Sequence, residues 1–329
     1  MHGRFSSYCG GVDEMSDQKI VEQIFGKEYF DRIAELEQEN RKLAHYTSAK
    51  VALSIIENKT IWLNNVQYMN DYSEIEIGNQ LLLDFYNNAT GTELKGVLEE
   101  ISTGCTKNLE FNYNNISPKL MNTYALCLTE HLPDEDKYGR LSMWRAYASL
   151  NGVALVFNRP MFLEEAINTS VMTIPMFYFD QKEFRDTVSN FTKRLRDNQS
   201  VLKTIPDFPN YVFAKFLITV LSMKHKGFQE EREWRILCNS SIYMSPPNEI
   251  LKEKRVEVNG APRIIKTLNF TDVQYKNIKF NMNDLIYKVI IGPSNNAEQL
   301  REIFVNALSD NGVKNADDKV ICSNIPIRV

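Results

Sequence analysis

The stretch Lys224-His-Lys-Gly-Phe-Gln-Glu-Glu-Arg-Glu-Trp-Arg-Ile-Leu237 sets Glu231, Glu233 and Arg235 at alternate positions, with Trp234 and Ile236 between them. Side chains alternate across a strand, so on a strand the two carboxylates and the guanidinium share one face and the apolar pair anchors the other. Two glutamates that close repel, and one pKa rises unless a cation or a substrate hydroxyl lies between them. Such a face suits the polarising of a sugar hydroxyl. The plainer alternative is a solvated strand face whose Glu and Arg pair in water.

Outward from this strand, the chain mixes helical and alternating patterns. Toward the C-terminus, residues 256–258 and 263–266 read as a hairpin and residues 287–292 as a strand running into Gly-Pro. Residues 297–308 then read as a helix and 320–329 as a closing strand. Upstream, residues 181–225 carry Phe191, Leu195, Leu202, Val212, Phe216 and Val220 as buried helical positions. Residues 123–129, 152–157 and 171–179 read as strands. Helices are predicted over 49–58, 74–85 and 94–109, with a short strand at 60–63 and an Asn-rich loop over 108–115. Over residues 16–44, Ile20, Val21, Ile24, Phe25, Tyr29, Phe30, Ile33 and Leu36 recur at helical spacing, which predicts one or two amphipathic helices packed on the main body. The pattern predicts a mixed α+β fold.

A chain of 329 residues suffices for one large or two modest domains. Its 43% hydrophobic and 24% charged content is ordinary for a globular protein. No run approaches the roughly 18 apolar residues of a membrane span, and residues 1–15 lack the apolar stretch of a signal peptide. They read as a poorly ordered extension, with Met15 an alternative start. The five cysteines are scattered and never in C-x-x-C spacing, which argues against zinc and disulfides and for a reducing cytoplasm. Four histidines lie far apart, so a histidine-rich metal site has little support. A net charge of −4 argues against wholesale coating of nucleic acid but leaves room for a local basic groove.

Three further segments carry candidate chemistry. In His45-Tyr-Thr-Ser48, Thr47 or Ser48 can cap the helix that follows, whereas His45 can donate to ribose hydroxyls and Tyr46 can stack on a planar heterocycle. Asn70-Asp71 with Glu74 fits a capping box. In Leu141-Ser-Met-Trp-Arg-Ala-Tyr147, a helix would put Trp144 and Tyr147 on one face and Ser142 and Arg145 on another. The aromatics could then flank a nicotinamide or adenine, with Arg145 on diphosphate oxygens. The plainer alternative is core aromatics with a salt-bridging arginine.

Taken in order, His-Tyr-Thr, a Trp-Leu strand, Asn-Asp-x-x-Glu, Ser-Met-Trp-Arg-x-Tyr with a Gly-Val-x-Leu-x-Phe strand, Lys-His ahead of Glu-x-Glu-Trp-Arg, and a late Ile-x-Gly-Pro strand resemble a bacterial domain-of-unknown-function family frequent in mobile elements and phage-defence loci. The resemblance runs over residues 43–329 and leaves 1–42 as an N-terminal, partly helical extension. The family's histidine–tyrosine–glutamate layout is similar to that of ADP-ribosyltransferases of the diphtheria-toxin and poly(ADP-ribose) polymerase type. This implies an ADP-ribosyltransferase-like split β-sandwich with surrounding helices, NAD as substrate and no metal. It implies His45 as the ribose gripper, Glu233 as the catalytic carboxylate and Glu231 as the group that orients the nucleophile. His45, Tyr46, Thr47, Trp144, Arg145 and Tyr147 would bind NAD, and which aromatic stacks stays open. Arg145, or Lys224 with Arg235, would hold the diphosphate. The implied role is a toxin or phage-defence effector that modifies a nucleic acid such as mRNA, or a protein, with an antitoxin or other defence protein as partner. Two other classes remain: a nucleotide-binding sensor without turnover, and a Mg²⁺ nuclease using Asp71/Glu74 and Glu231/Glu233.

Overall fold

The computed structural model describes residues 16–69, 72–115, 120, 122–148, 151–158, 171–239, 251–258, 260–269, 274–275, 278–279 and 281–326. Helices α1 (Ser16–Phe25) and α2 (Lys27–Gln38) form the expected N-terminal amphipathic pair. Strand β1 (Lys42–Ser48) follows at once, so residues 42–44 are strand rather than helix, the chain having turned at Asn40 with φ 48°. Ser48 caps α3 (Ala49–Asn58), its Oγ accepting from the Val51 N–H at 3.3 Å, and β2 (Thr60–Asn65) leaves the helix through Lys59 in the left-handed region. Helix α4 (Tyr72–Tyr86) precedes α5 (Ala89–Ile101) and α6 (Cys105–Asn114).

The single helix expected over 94–109 is therefore two. Gly104, at φ 82°, adopts a conformation that other residues enter at a cost and restarts the second. Helix α6 runs through the Asn-rich stretch read as a loop, because burying Cys105 and Leu109 outweighs the weak helix propensity of asparagine.

The rest of the chain supplies β3 (Thr123–His131), α7 (Leu141–Tyr147), β4 (Gly152–Phe157), β5 (Val171–Pro175), β6 (Phe177–Phe179), α8 (Gln181–Asp197) and α9 (Phe208–Ser222). Then come β7 (Met223–His225), β8 (Glu233–Asn239), the hairpin β9 (Leu251–Val258) and β10 (Ala261–Asn269), β11 (Ile286–Ile291), α10 (Ala297–Asp310) and β12 (Val320–Cys322). The closing strand expected over 320–329 is only this short; residues 327–329 lie outside the described residues, as do residues 1–15, Asn70 and Asp71.

Ten of these strands join in one sheet that forks at β3. Along one edge β3 pairs with β8 from Thr123↔Asn239 to Thr129↔Glu233, and β8 continues to β5. The other edge is shared. β1 takes its C-terminal end (Ala44↔Thr129) and leads to β4, β11 and β12, while β2 takes its N-terminal end (Asn64↔Ala125) and leads to β10 and β9. Leu126, Cys127 and Leu128 lie between the two arms of the fork. Antiparallel pairing dominates, with β11–β12 the parallel pair in this sheet, so the fold is mixed α+β and not a doubly wound parallel sheet.

Both faces are covered, which disposes of the solvated-strand alternative. Trp234 and Ile236 of β8 pack with Leu126 and Leu128 of β3 and with α2, α3 and α10. On the opposite face, Ala125 and Leu237 join a helical core that includes α1, α4, α5, α6, α8 and α9. Glu130 is buried, and it accepts from the Trp234 indole N–H at 2.9 Å, from Arg41 at 2.6 Å and from Arg32, so the N-terminal helices are stapled to the centre of the sheet. Among the described residues, no helix is long and apolar enough to cross a membrane.

Candidate functional site

Moving along the helical-core face of the β3–β8 pair, opposed residues run from Ala125/Leu237 to Cys127/Arg235 to Thr129/Glu233. The face thus turns from apolar to charged as it reaches the fork. A cleft of about 70 Å³ opens there, lined by His45, Tyr46, Cys127, Thr129, Met143, Tyr147, Glu231 and Glu233 among others. Five residues singled out in the sequence (His45, Tyr46, Tyr147, Glu231 and Glu233) therefore meet at one place.

His45 sits where β1 leaves β3 for β4. Its Nδ1 lies 3.1 Å from the Cys127 carbonyl oxygen. A carbonyl only accepts, so Nδ1 carries the proton. Burial lowers the pKa of the ring, with the carbonyl opposing the shift. The imidazole is therefore neutral near pH 7, and its Nε2 is an acceptor rather than the donor to a ribose hydroxyl that the sequence suggested.

The two glutamates do not lie on one strand. Glu231 ends a tight turn over Lys226–Glu231, and Arg232, at φ 45°, swings the chain into β8 at Glu233. They meet all the same, because Lys224 of β7 reaches between them, its Nζ donating to Glu231 Oε2 at 2.6 Å and to Glu233 Oε2 at 2.7 Å. Arg235 Nε donates to the other oxygen of Glu233 at 2.6 Å. Burial opposes ionisation of Glu233, but the charges of Arg235 and Lys224 outweigh it and hold the pKa below the usual glutamate value. Repulsion between the carboxylates is thus relieved by a cation, one of the two options open from the sequence.

The same geometry corrects the diphosphate assignment: the Lys224 and Arg235 side chains are 1% and 2% exposed and neutralise glutamates, so neither can face a diphosphate. Nor does the pair read as a Mg²⁺ site, since an ammonium holds the place between the carboxylates. Among the described residues no group of three or more His, Cys, Asp or Glu could hold a metal; Asp71 and the Glu74 side chain fall outside them.

The glutamates differ in access. Glu233 is 5% exposed and Glu231 19%. Tyr147, half exposed at the end of α7, donates its hydroxyl to Glu231 Oε1 at 2.8 Å; burial, then the Glu231 charge, pushes its pKa well up, so the phenol keeps its proton. Behind the site, the Tyr178 hydroxyl accepts from the Glu233 backbone N–H at 2.7 Å.

Sequence reasoning missed Arg140, which ties the loops together. Its guanidinium donates to the Glu230 carbonyl at 2.5 Å, the Glu130 carbonyl at 2.5 Å, Thr129 Oγ1 at 2.8 Å and Glu135 at 3.0 Å, and Thr129 Oγ1 donates in turn to the Glu231 carbonyl at 2.5 Å. A lone arginine in a loop between a strand and a helix gives no local signal of this, since its partners lie on three separate segments.

The remaining expected residues are placed as follows. Tyr46 reaches the cleft, but its ring packs edge-to-face on Trp144 at 4.6 Å and its hydroxyl accepts from the Arg140 N–H at 2.9 Å. Trp144 is 3% exposed and donates to the Tyr138 carbonyl at 2.9 Å, so it supports the cleft from behind, and Trp144 and Tyr147 do not present one shared open face. Arg145 is exposed on α7 away from the cleft lining, and Thr47 pairs with Val153 in the β1–β4 ladder outside it.

A family described as "Protein of unknown function (DUF2971)" matches residues 143–236. No curated protein and no solved structure matches the chain. The matched span takes in most of α7, with Tyr147, and Lys224, Glu231 and Glu233, but not His45. Over that span the chain fits a family of unknown function.

Proposed function

We propose that the forked cleft binds NAD and that the protein is an ADP-ribosyltransferase. The observation that carries the reading is the convergence of His45, Tyr147, Glu231 and Glu233, from three separate segments, on one cleft beside a carboxylate kept ionised in a buried setting. The arrangement of a sheet split at β3, with the histidine on the first strand and the glutamate on a late one, is consistent with the split β-sandwich of such enzymes.

In this account the nicotinamide ribose sits in the cleft. His45 Nε2 accepts from one ribose hydroxyl, and Glu233 accepts from the 2′-hydroxyl, placing negative charge beside the anomeric carbon. The glycosidic C–N bond breaks, its electron pair passes to the nicotinamide ring, and a ribosyl oxocarbenium cation develops next to that charge. Glu231, nearer the mouth, takes the proton of the acceptor as it bonds to the anomeric carbon. The small volume of the cleft leaves the adenosine half outside it. The acceptor is a nucleic acid or a protein, and a toxin or phage-defence role with an inhibitory partner follows the same reading. Incubating the protein with NAD labelled on its adenylate and a cell lysate tests this. Label in protein or nucleic acid supports transfer. Saturable NAD binding with neither label transfer nor nicotinamide release would make the protein a sensor instead.

A further inference from the structure

A second cavity lies behind β6, on the other side of that strand from the candidate site. It has a volume of about 110 Å³ and is walled by the corner between α1 and α2 and by β5, β6, α8 and α9. Phe25, Phe177, Phe179, Phe184, Phe191 and Phe216 supply much of its surface. Because side chains alternate along β6, Phe177 and Phe179 face this cavity while Tyr178 faces Glu233. A space of this size with apolar walls is close in scale to protein cavities that take up an aromatic ring.

One part of the wall is charged. Glu28 accepts from Lys215 Nζ at 2.9 Å and from Arg194 at 2.5 Å, so two cations share one carboxylate. Of the three, Glu28 and Lys215 line the cavity, and Lys215 leans over the Phe191 ring at 5.8 Å. Burial lowers the Lys215 pKa, with Glu28 opposing the shift, as expected of an ammonium whose charge is incompletely matched. Three hydroxyls nearby are satisfied within their own helices: Thr187 donates to the Glu183 carbonyl, Thr219 to that of Lys215 and Ser222 to that of Thr219. The polar demand left at this wall is therefore for negative charge, and the shape demand is for an apolar body.

We propose that this cavity is a binding site for a medium-chain carboxylic acid, its tail among the phenylalanines and its carboxylate on Lys215. The head group supplies the missing charge of the Glu28–Lys215–Arg194 cluster, and the tail displaces no well-held water from apolar walls.

Titration calorimetry of the full chain with octanoate and with octanol tests this on the wild-type protein. The expected result is saturable octanoate binding with a dissociation constant below about 1 mM, a reasonable limit for a ligand of about ten heavy atoms, and octanol weaker by about tenfold or more. Val188→Phe, which fills the cavity, should abolish binding of both, and Lys215→Met should weaken octanoate about tenfold while leaving octanol unchanged. The proposal is overturned if wild type shows no saturable octanoate binding, if octanol binds as tightly as octanoate, or if a folded Val188→Phe protein still binds octanoate. Should either variant fail to fold, the contrast between the two ligands on wild type decides alone.

Discussion

Lys224→Met isolates the interaction on which the candidate site is built. In the wild type Nζ lies 2.6 Å from Glu231 and 2.7 Å from Glu233, with the lysine side chain 1% exposed. Methionine keeps the bulk and removes the charge, so two carboxylates are left facing each other. Breaking a buried ion pair typically costs about 3–5 kcal/mol. Arg235 still holds one oxygen of Glu233, and Glu231 is partly exposed, so the lower end applies, about 3 kcal/mol near pH 7.

The pH dependence follows from the direction of each shift. Wild-type Glu233 has a folded pKa below the ordinary glutamate value, so it stabilises the fold at neutral pH and the contribution is lost as pH falls through the folded value. In the variant, repulsion raises one carboxylate pKa above the unfolded value, so destabilisation is fully present at neutral pH and is relieved as pH falls toward about 5. Urea unfolding at about pH 7 and about pH 5 measures both effects. Adding Glu231→Gln to Lys224→Met should recover about 1–2 kcal/mol at neutral pH, because the repelling partner is gone. A loss below about 1 kcal/mol that is the same at both pH values, or strict additivity in the double variant, would refute the reasoning.

Five other variants probe the surroundings. Glu233→Gln should lower nicotinamide release by about 10²–10³ with NAD affinity little changed, whereas Glu231→Gln should impair transfer to an acceptor more than hydrolysis of NAD; the opposite pattern would exchange their roles. Arg140→Ala should cost about 3 kcal/mol in urea unfolding by leaving the Glu130 carbonyl and the Glu135 carboxylate without this donor, and Arg140→Lys should not restore it because a lysine cannot span its four partners; full rescue by lysine would contradict this. Gly139→Ala places a Cβ 2.6 Å from the Trp144 ring at a residue with φ 64°, and should cost about 1–3 kcal/mol, read as a fall in Tm; an unchanged Tm would show that the turn relaxes freely.

Much of this was legible in the residues and some was not. Alternation placed Trp234 and Ile236 in the core and put Glu233 and Arg235 on the same side of β8, because period two is a local property of extended backbone. His45 and Glu233 reach one cleft, which the motif order suggested. Alternation could not reveal that Glu231 comes from a turn, since the break depends on the left-handed Arg232. The placing of Lys224 between the glutamates is equally non-local in origin: the parallel pairing of β7 with β6 brings it there. Arg140 was invisible for the same reason. Its partners Glu130, Glu135 and Glu230 mean nothing until β3, α7 and β8 are assembled. Trp144 looked like a stacking platform but packs on Tyr46 and close to Gly292, a site of close approach that spacing alone does not encode.

The most direct measurement is nicotinamide release from NAD by the purified protein, with and without a chelator, alongside Glu233→Gln. The account predicts release by wild type that a chelator leaves unchanged and that the substitution cuts by about 10² or more. Release abolished by chelator, or equal in the wild type and Glu233→Gln, would contradict it.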